Sequence, residues 1–291
     1  MAIEMMRKLL IGLIGSGIQR SLSPELHEEE ARFHDLRLHY QIIDLEPTGS
    51  TIADLPNLIS AVRTIGFAGL NITYPCKQAV IPLLDEMSEE ARVMGAVNTV
   101  VFNEGRLIGH NTDGSGWVAG FRRVLPKADL SRVVLLGAGG AGSAIAHAVL
   151  RMGAEQLNVF DVDAQRSATL ARELAQRYGA TRVASEVNIA RALVGATGLI
   201  HATPTGMDKL PGMPLPASLL KPTLWVSEIV YFPLETALLK HAREIGCVTI
   251  DGGGMAVGQA VGAFELFTGM TPDAMRIQAH FKNLVAGGNS A

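Results

Sequence analysis

The stretch Arg132–Asp163, RVVLLGAGGAGSAIAHAVLRMGAEQLNVFDVD, leaves few folds open. Val133–Leu136 is an apolar run of the length of a buried parallel strand. Gly137-Ala138-Gly139-Gly140-Ala141-Gly142 follows at once, and Ser143–Met152 has a helix-forming, Ala-rich composition. Gly153 can end that helix, and Leu157, Val159 and Phe160 supply a second apolar strand. Asp161 closes the unit at about the 20-residue spacing expected of the acid in a dinucleotide fingerprint. A G-x-G-x-x-G pattern alone is weak; between two strands, with a helix and a terminal acid, it is specific. Gly137 permits the tight bend, Gly139 close approach of a pyrophosphate, and Gly142 close packing of helix on strand. The helix start then offers N–H groups and the positive end of its dipole to phosphate.

The rest of the chain fits around such a unit. At 291 residues it is long enough for about two domains, each with its own core. A hydrophobic content of 48% and a charged content of 18% are those of a soluble globular protein. The net charge of −3 gives no electrostatic case for nucleic acid or an anionic membrane surface. Cys76 and Cys247 are far apart and lack metal-ligand company, so neither a metal site nor a disulfide framework is expected. Arg7-Lys8 before LLIGLIG resembles a signal peptide only superficially. The apolar run is short, polar residues follow directly, and a first strand over Leu9–Ile14 is the better reading. No run reaches the length of a membrane span. A cytoplasmic protein is expected.

In chain order, Ser23 reads as an N-cap with Pro24 at the first helical position and the helix running to about His34. A strand over Tyr40–Leu45, an amphipathic helix over Ser50–Ile65 and a strand over Phe67–Ile72 complete a β-α-β-α-β order, which implies parallel strands with functional groups at their carboxyl ends. Helix is expected over Lys77–Met87, followed by another helix through Arg92. Asn103-Glu-Gly105 has hairpin-turn chemistry between strands ending at Phe102 and beginning at Arg106. A helix starts near Gly114, at a domain boundary, where pockets are favoured. Beyond the opening unit, helices are expected over Ala164–Tyr178 and Leu234–Gly246, with strands over Leu199–Ala202, Trp225–Val230 and Val248–Ile250. Asp251–Met255 reads as a flexible loop before a final pair of helices split near Gly269, with a disordered Gly-rich tail after Ala286.

Seven ordered motifs then give the chain a family resemblance over nearly its full length. They are Ser21-Leu-Ser-Pro24, Asn71-Ile-Thr-Tyr-Pro-Cys-Lys77, Gly95-Ala-Val-Asn-Thr99, Gly109-His-Asn-Thr-Asp113, Gly137-Ala-Gly-Gly140, Ala202-Thr-Pro-Thr-Gly-Met207 and Gly254-Met255…Gln259. The chain resembles the shikimate/quinate dehydrogenase family. The resemblance implies an α/β, two-domain fold: a substrate domain over residues 1–113, a Rossmann domain over 114–250, and C-terminal helices over 251–291 that return to the first domain. It implies reversible NAD(P)-linked oxidation of a ring hydroxyl of a cyclitol carboxylate, shikimate or quinate, by a monomer or homodimer.

Position by position, the resemblance puts Ser21, Ser23 and Tyr231 around the substrate carboxylate and Thr73, Asn98 and Gln259 on ring hydroxyls. Lys77 and Asp113 become the catalytic pair. Gly137, Ala138, Gly139, Gly140 and Ala141 line the phosphates, and Asp161 and Arg166 the adenosine end. Thr203, Pro204, Met207, Val230, Gly254 and Met255 line the nicotinamide end. The residue types suit these tasks: hydroxyls can hold a carboxylate, and Asn or Gln can both donate to and accept from an alcohol. Oxidation of a carbinol needs its hydroxyl proton removed. An anionic neighbour favours protonated lysine, so proton transfer is assigned to the pair, with Lys77 as deliverer. Ser23 and Asp113 also suit helix capping, and His27, His110 and His201 are assigned no proton chemistry. Cys76 reads as packing.

NADP-using relatives commonly carry an Asn-Arg-Ser/Thr run where this chain has Asp161-Val162-Asp163. A carboxylate there can accept bonds from free ribose hydroxyls and would repel a 2′-phosphate, so NAD is the expected cofactor, with NADP admissible because Arg166 lies near. Tyr74, Cys76, Glu228 and Ala256 depart from the biosynthetic pattern toward the NAD-preferring, quinate-competent branch. Open alternatives are an aminoshikimate-type or other hydroxy-acid dehydrogenase, and a non-catalytic sensor of quinate or cofactor.

Overall fold

The computed structural model describes residues 7–288 and divides into two compact units, one reaching to Thr112 and resuming at Gln259, the other Asp113–Gly258. The first unit is built on six strands: β1 (Arg7–Gly15), β2 (Leu36–Asp44), β3 (Gly69–Ile72), β4 (Glu86–Met87), β5 (Thr99–Asn103) and β6 (Arg106–His110), in the order β2-β1-β3-β5-β6-β4. β1 runs parallel to both β2 and β3, as the β-α-β-α-β order requires, whereas β3–β5 and β5–β6 are antiparallel. The β5–β6 hairpin turns on Glu104 (φ 49°) and Gly105 (φ 79°), two successive positive values that match the twist of the flanking strands. Ile14, Leu70, Ile72, Val97 and Val100 are fully buried in the core on one side of this sheet, and Ile11 and Leu13 pack with Phe267 of the returning helix on the other.

The second unit holds β7 (Arg132–Leu136), β8 (Gln156–Phe160), β9 (Val183–Ser185), β10 (Gly198–His201), β11 (Trp225–Glu228) and β12 (Val248–Ile250), all parallel, in the order β12-β11-β10-β7-β8-β9. The order reverses between β7 and β10, the doubly wound arrangement that opens a crevice at the strands' carboxyl ends. Val133, Val134, Leu135, Leu199, Ile200 and Val226 are fully buried, which is why these strands read as unbroken apolar runs. In this unit the helix Asp113–Val124 and the first residues of the helix Gly253–Thr268 cross on glycines: a Cβ on Gly120 would lie 2.8 Å from the carbonyl carbon of Gly254, and one on Gly258 2.5 Å from the Cα of Gly116. Small residues four apart on both helices let the backbones touch.

Several local expectations change. Ser23 is the first helical residue rather than the N-cap, and the helix Ser23–Arg32 carries no side-chain cap; the Ser21 hydroxyl donates to Ser23 Oγ at 3.1 Å and accepts from Ser23 N–H at 3.3 Å. The second strand starts at Leu36, because full pairing with β1 draws Leu36–His39 into the ladder. Only Leu55–Ile65 of the Ser50–Ile65 segment is α-helix, entered through a 3₁₀ turn and Pro56. The helix expected over Lys77–Met87 is a single turn, Cys76–Ala79, then a 3₁₀ turn and β4; Pro82, with no N–H to donate, cannot continue the α-helical ladder and sits in the 3₁₀ turn, and β4 pairs with β6. Asp251–Met255 is not a flexible loop. The helix begins at Gly253, whose N–H donates to Asp251 Oδ1 at 3.0 Å. β9 and the helical turn Ile189–Ala192 are too short to announce themselves by periodicity. The last helix, Ala274–Gly288, includes the first part of the tail expected to be disordered, and the rest of that tail lies outside the described residues.

Within the first unit the last helix is fastened by Glu30. This carboxylate, 1% exposed, accepts from Arg276 Nε and Nη2 at 2.7 Å each and from Asp273 N–H at 2.8 Å, and it faces His34 Nε2 at 3.0 Å. Burial alone would raise the Glu30 carboxyl, but these hydrogen bonds and the guanidinium charge outweigh it and hold it below its ordinary value. Arg276→Met should therefore lower the unfolding free energy in urea by about 2 kcal/mol, and Arg276→Lys should recover only part, since an ammonium cannot make both fork bonds. An unchanged midpoint in the Met variant would remove the clamp.

Beside it His27 lies 2% exposed among Tyr40, Phe264 and Phe267, with Nδ1 unpaired, and burial pushes it down from 6.5 to about 3. The unfolded chain takes up a proton below pH 6.5 that the folded chain refuses until near pH 3. Stability should fall as pH drops through that window. Between pH 7 and pH 5 the wild type should lose about 2 kcal/mol more than His27→Leu in parallel urea titrations. Equal losses would show that His27 protonates without penalty.

Candidate functional site

At one end of the first sheet, polar side chains gather where β1, β3 and β6 finish and β5 begins. The registers Ile14↔Ile72, Asn71↔Thr99 and Thr99↔His110 bring these ends together. Asp44, the last residue of β2, holds the loop after β1: its carboxylate accepts from Gly17 N–H at 2.8 Å, Ile18 N–H at 3.0 Å and Glu46 N–H at 3.0 Å. Burial would raise this carboxyl, but the bonds from Glu46, Gly17, Ile18 and Gln19 hold it low. The same loop is pinned to the one after β3 by Ser16 N–H to Tyr74 O at 2.9 Å, and no side chain fits at Gly15, where a Cβ would lie 3.0 Å from that carbonyl. Ser21 and Thr73 are thereby half-buried on two loops that touch, with Ser23 half-buried at the helix start that follows the first of them.

Asn98 is the knot of this end. It is 5% exposed; its Nδ2 donates to Thr112 Oγ1 at 2.9 Å, and its Oδ1 accepts from Thr112 N–H at 2.9 Å and Thr99 Oγ1 at 3.0 Å. Its backbone bridges Ile72 and His110. Asn71 joins in through Thr99 Oγ1, and the Tyr40 hydroxyl donates to Asn71 Oδ1 at 2.9 Å. Lys77 is half-buried on its single helical turn, and its carbonyl accepts from Val97 N–H at 2.9 Å, next to Asn98. Gly262, one turn beyond Gln259, passes Thr112: a Cβ there would lie 3.1 Å from Thr112 Cγ2. Gln259 shares that helix face. Burial holds His110 below its ordinary value, with Glu90 opposing, and it pushes the Cys76 thiol up, away from nucleophilic character.

The second unit collects the remaining expected residues at the carboxyl ends of β7, β8, β10 and β11. Gly137 bends with φ 101°, and a Cβ there would lie 2.5 Å from the Ala202 carbonyl. Gly142 sits against the Gly137 carbonyl, while Gly139 opens onto free space. The helix Gly140–Arg151 starts without a side-chain cap. Asp161, 8% exposed, accepts from Ala138 N–H at 2.8 Å and from Asp163 N–H at 2.9 Å, tying the end of β8 to the glycine turn. A carboxylate has about four acceptor sites, so two remain for a ligand hydroxyl. Arg166 reaches Asp161 at 4.0 Å and Asp163 at 3.8 Å. An anionic group with a neighbouring diol fits this turn, helix start and acid. Thr203, Pro204 and Met207 occupy the loop after β10, and Val230 and Tyr231 the loop after β11. Gly252 lets the helix carrying Gly254 and Met255 begin against the Ile229 and Val230 carbonyls. Asp113 is fully buried as the first residue of its helix; Lys77 and Asp113 belong to different units.

Residue-type reasoning overlooked Asp44, Asn71, Thr99 and Thr112, whose work is to hold other site residues. Asn71, Thr99 and Thr112 lie within quoted motifs that gave them no role of their own, and Asp44 had a local signal, an acid between a strand and the Pro-containing turn Leu45–Thr48 that it caps. Among the described residues no cluster of His, Cys, Asp and Glu could hold a metal ion, and no helix is long and apolar enough to cross a membrane.

The family model of the shikimate dehydrogenase substrate binding domain matches residues 13–100. A shikimate dehydrogenase (NADP(+)) of Streptomyces avermitilis is 55% identical over 277 residues, 94% of this chain and 95% of that protein. A quinate/shikimate dehydrogenase (NAD(+)) of Corynebacterium efficiens is 45% identical over 95% of this chain and 98% of its own length. Among solved structures, quinate dehydrogenase from Corynebacterium glutamicum in complex with NAD superposes with a TM-score of 0.87 at 43% identity, covering 95% of this chain and 99% of that one. With such identity along almost the whole of each chain, this protein belongs to the shikimate dehydrogenase family.

Proposed function

We propose that this chain is an NAD(P)-linked dehydrogenase that interconverts shikimate or quinate and their 3-dehydro forms. The observation that carries the reading is the hydroxyl and amide set Ser21, Ser23, Thr73 and Asn98 at one sheet end, with Lys77 anchored beside Asn98, in a chain so similar to named shikimate and quinate dehydrogenases. Ser23 offers a hydroxyl donor to the substrate carboxylate, Ser21 offers a second by turning its hydrogen from Ser23 Oγ to the ligand, and Tyr231 joins them. Thr73, Asn98 and Gln259 take the ring hydroxyls. The rigid network around Asn98 fixes the direction of its amide, so an analogue lacking the matching hydroxyl would leave a polar group unsatisfied. Lys77 delivers or removes the proton of the reacting hydroxyl, with Asp113 as its partner in that transfer. The bound nicotinamide supplies the hydride chemistry.

NAD is the preferred cofactor in this reading. Asp161 presents a carboxylate at the place where the adenosine ribose would lie, and the Val162 side chain beside it is 97% exposed and without charge. Arg166 is flanked by Asp161 and Asp163 and so is poorly placed to welcome a 2′-phosphate. Relatives with NADP and NAD in their names both occur, so this residue-level argument bears the weight.

NADH formation with shikimate, quinate and a panel of hydroxy acids tests the activity. Lys77→Ala should lower kcat by about a hundredfold or more with the fold intact; undiminished turnover would overturn the role of Lys77. Asp161→Asn combined with Val162→Arg should shift the NADP-to-NAD ratio of kcat/KM upward by about tenfold. An unmoved ratio would refute the part given to Asp161.

A further inference from the structure

His201 and Glu228 are the last residues of β10 and β11 and face each other across the parallel ladder. His201 and Glu228 are 0% and 1% exposed. His201 Nδ1 lies 2.8 and 2.9 Å from the two Glu228 carboxylate oxygens. The same carboxylate accepts from Ile229 N–H at 2.8 Å, Val230 N–H at 3.0 Å and Thr236 Oγ1 at 3.1 Å. On its other side the ring meets Thr203 Oγ1 at 2.5 Å, and that oxygen accepts from Thr205 N–H at 3.3 Å. Acceptors around Nδ1 assign the ring proton to that nitrogen, so Nε2 receives the Thr203 hydroxyl hydrogen. One buried chain of bonds therefore runs from the loop after β11, through Glu228 and His201, to the loop after β10.

The position of these loops gives the chain of bonds a task. The strand order reverses between β7 and β10, and Asp161 marks the β8 side as the adenosine half. A dinucleotide lying across that crevice has its other half over the ends of β10 and β11. A buried ion–dipole network costs desolvation that an apolar pair would not, and this one spends its bonds on those two loops.

We infer that His201 and Glu228 are a positioning pair for the nicotinamide half of the cofactor, acting through the Thr203 hydroxyl and the Ile229–Val230 peptides. The inference rests on the dehydrogenase reading above for the identity of the ligand. Neither residue touches the reacting atoms; each sets the direction of a loop group that would.

The test separates the two halves of the cofactor. NAD⁺ and ADP-ribose, which lacks nicotinamide, are titrated calorimetrically into the full-length wild type and into Thr203→Val, His201→Asn and Glu228→Gln, with kcat and KM measured alongside. Each variant should weaken NAD⁺ by about fivefold or more while ADP-ribose stays within about twofold. kcat should fall with little change in KM for the ring acid, and Thr203→Val should add almost nothing to His201→Asn because both cut one path. Thr203 lies outside the strands, so its variant keeps the test open if a buried variant fails to fold. Parallel weakening of both ligands, unchanged NAD⁺ affinity, or additive effects of the Thr203 and His201 changes would overturn the inference. Wild type that binds NAD⁺ more tightly than ADP-ribose, yet turns over neither ring acid, would sink the substrate assignment and leave the pair standing.

Discussion

Backbone N–H groups that leave the end of a β-strand lose their ladder partners, and in a buried setting each must find another acceptor. At four strand ends this protein meets that demand with a buried polar side chain. Asp44 closes the loop after β1, Asn98 ties β5 to the segment after β6, Asp161 closes the glycine turn after β7, and Glu228 holds the loop after β11. Three of the four are carboxylates, which accept without needing a hydrogen placed correctly and accept several bonds at once. The loops so fixed are those that carry Ser21, the glycine turn Gly137–Gly142 and Val230, residues to which the proposed function gives substrate and cofactor contacts. Preorganisation of the site is thus a by-product of satisfying the backbone.

Glycine complements these acceptors where two backbones must meet. Gly116 and Gly120 face Gly254 and Gly258 with no room for a methyl group, and Gly142 rests on the carbonyl of Gly137. In these places the contact itself is main chain on main chain. A side chain would separate elements whose spacing positions Asp113 at one helix start and Met255 near another.

The long-range features were legible because they repeat a physical pattern over many residues. The apolar runs of β7, β8 and β10, the helix Ala164–Tyr178, the β5–β6 turn and the glycine turn all formed where their composition indicates. What escaped depends on partners distant in sequence. The Leu36–His39 extension of β2 exists because β1 pairs with it, and β4 exists because β6 passes alongside. After Lys77 the composition favours helix, yet Pro82 interrupts the α-helical ladder and the chain turns into β4. At the proposed site, the residues given chemical roles are those their motifs single out, whereas Asn71, Thr99 and Thr112 look like ordinary polar residues until the network around Asn98 is drawn. His201 and Glu228 illustrate the same limit, since nothing local says that residues 27 apart end neighbouring strands.

The clamp of Arg276 on Glu30 has a consequence for the order in which the molecule can be made. The second unit is contiguous in the chain, whereas the first is interrupted and takes its closing helices from residues beyond Gln259. During synthesis, when domains fold as their residues emerge, Glu30 waits for a guanidinium encoded 246 positions later. Until then a carboxylate destined for burial, and the apolar surface around Leu13 and Tyr40 that packs with Phe267, stay without their partners. The first unit can therefore be completed only after the whole second unit has emerged, and until then it exposes the kind of apolar surface that favours association.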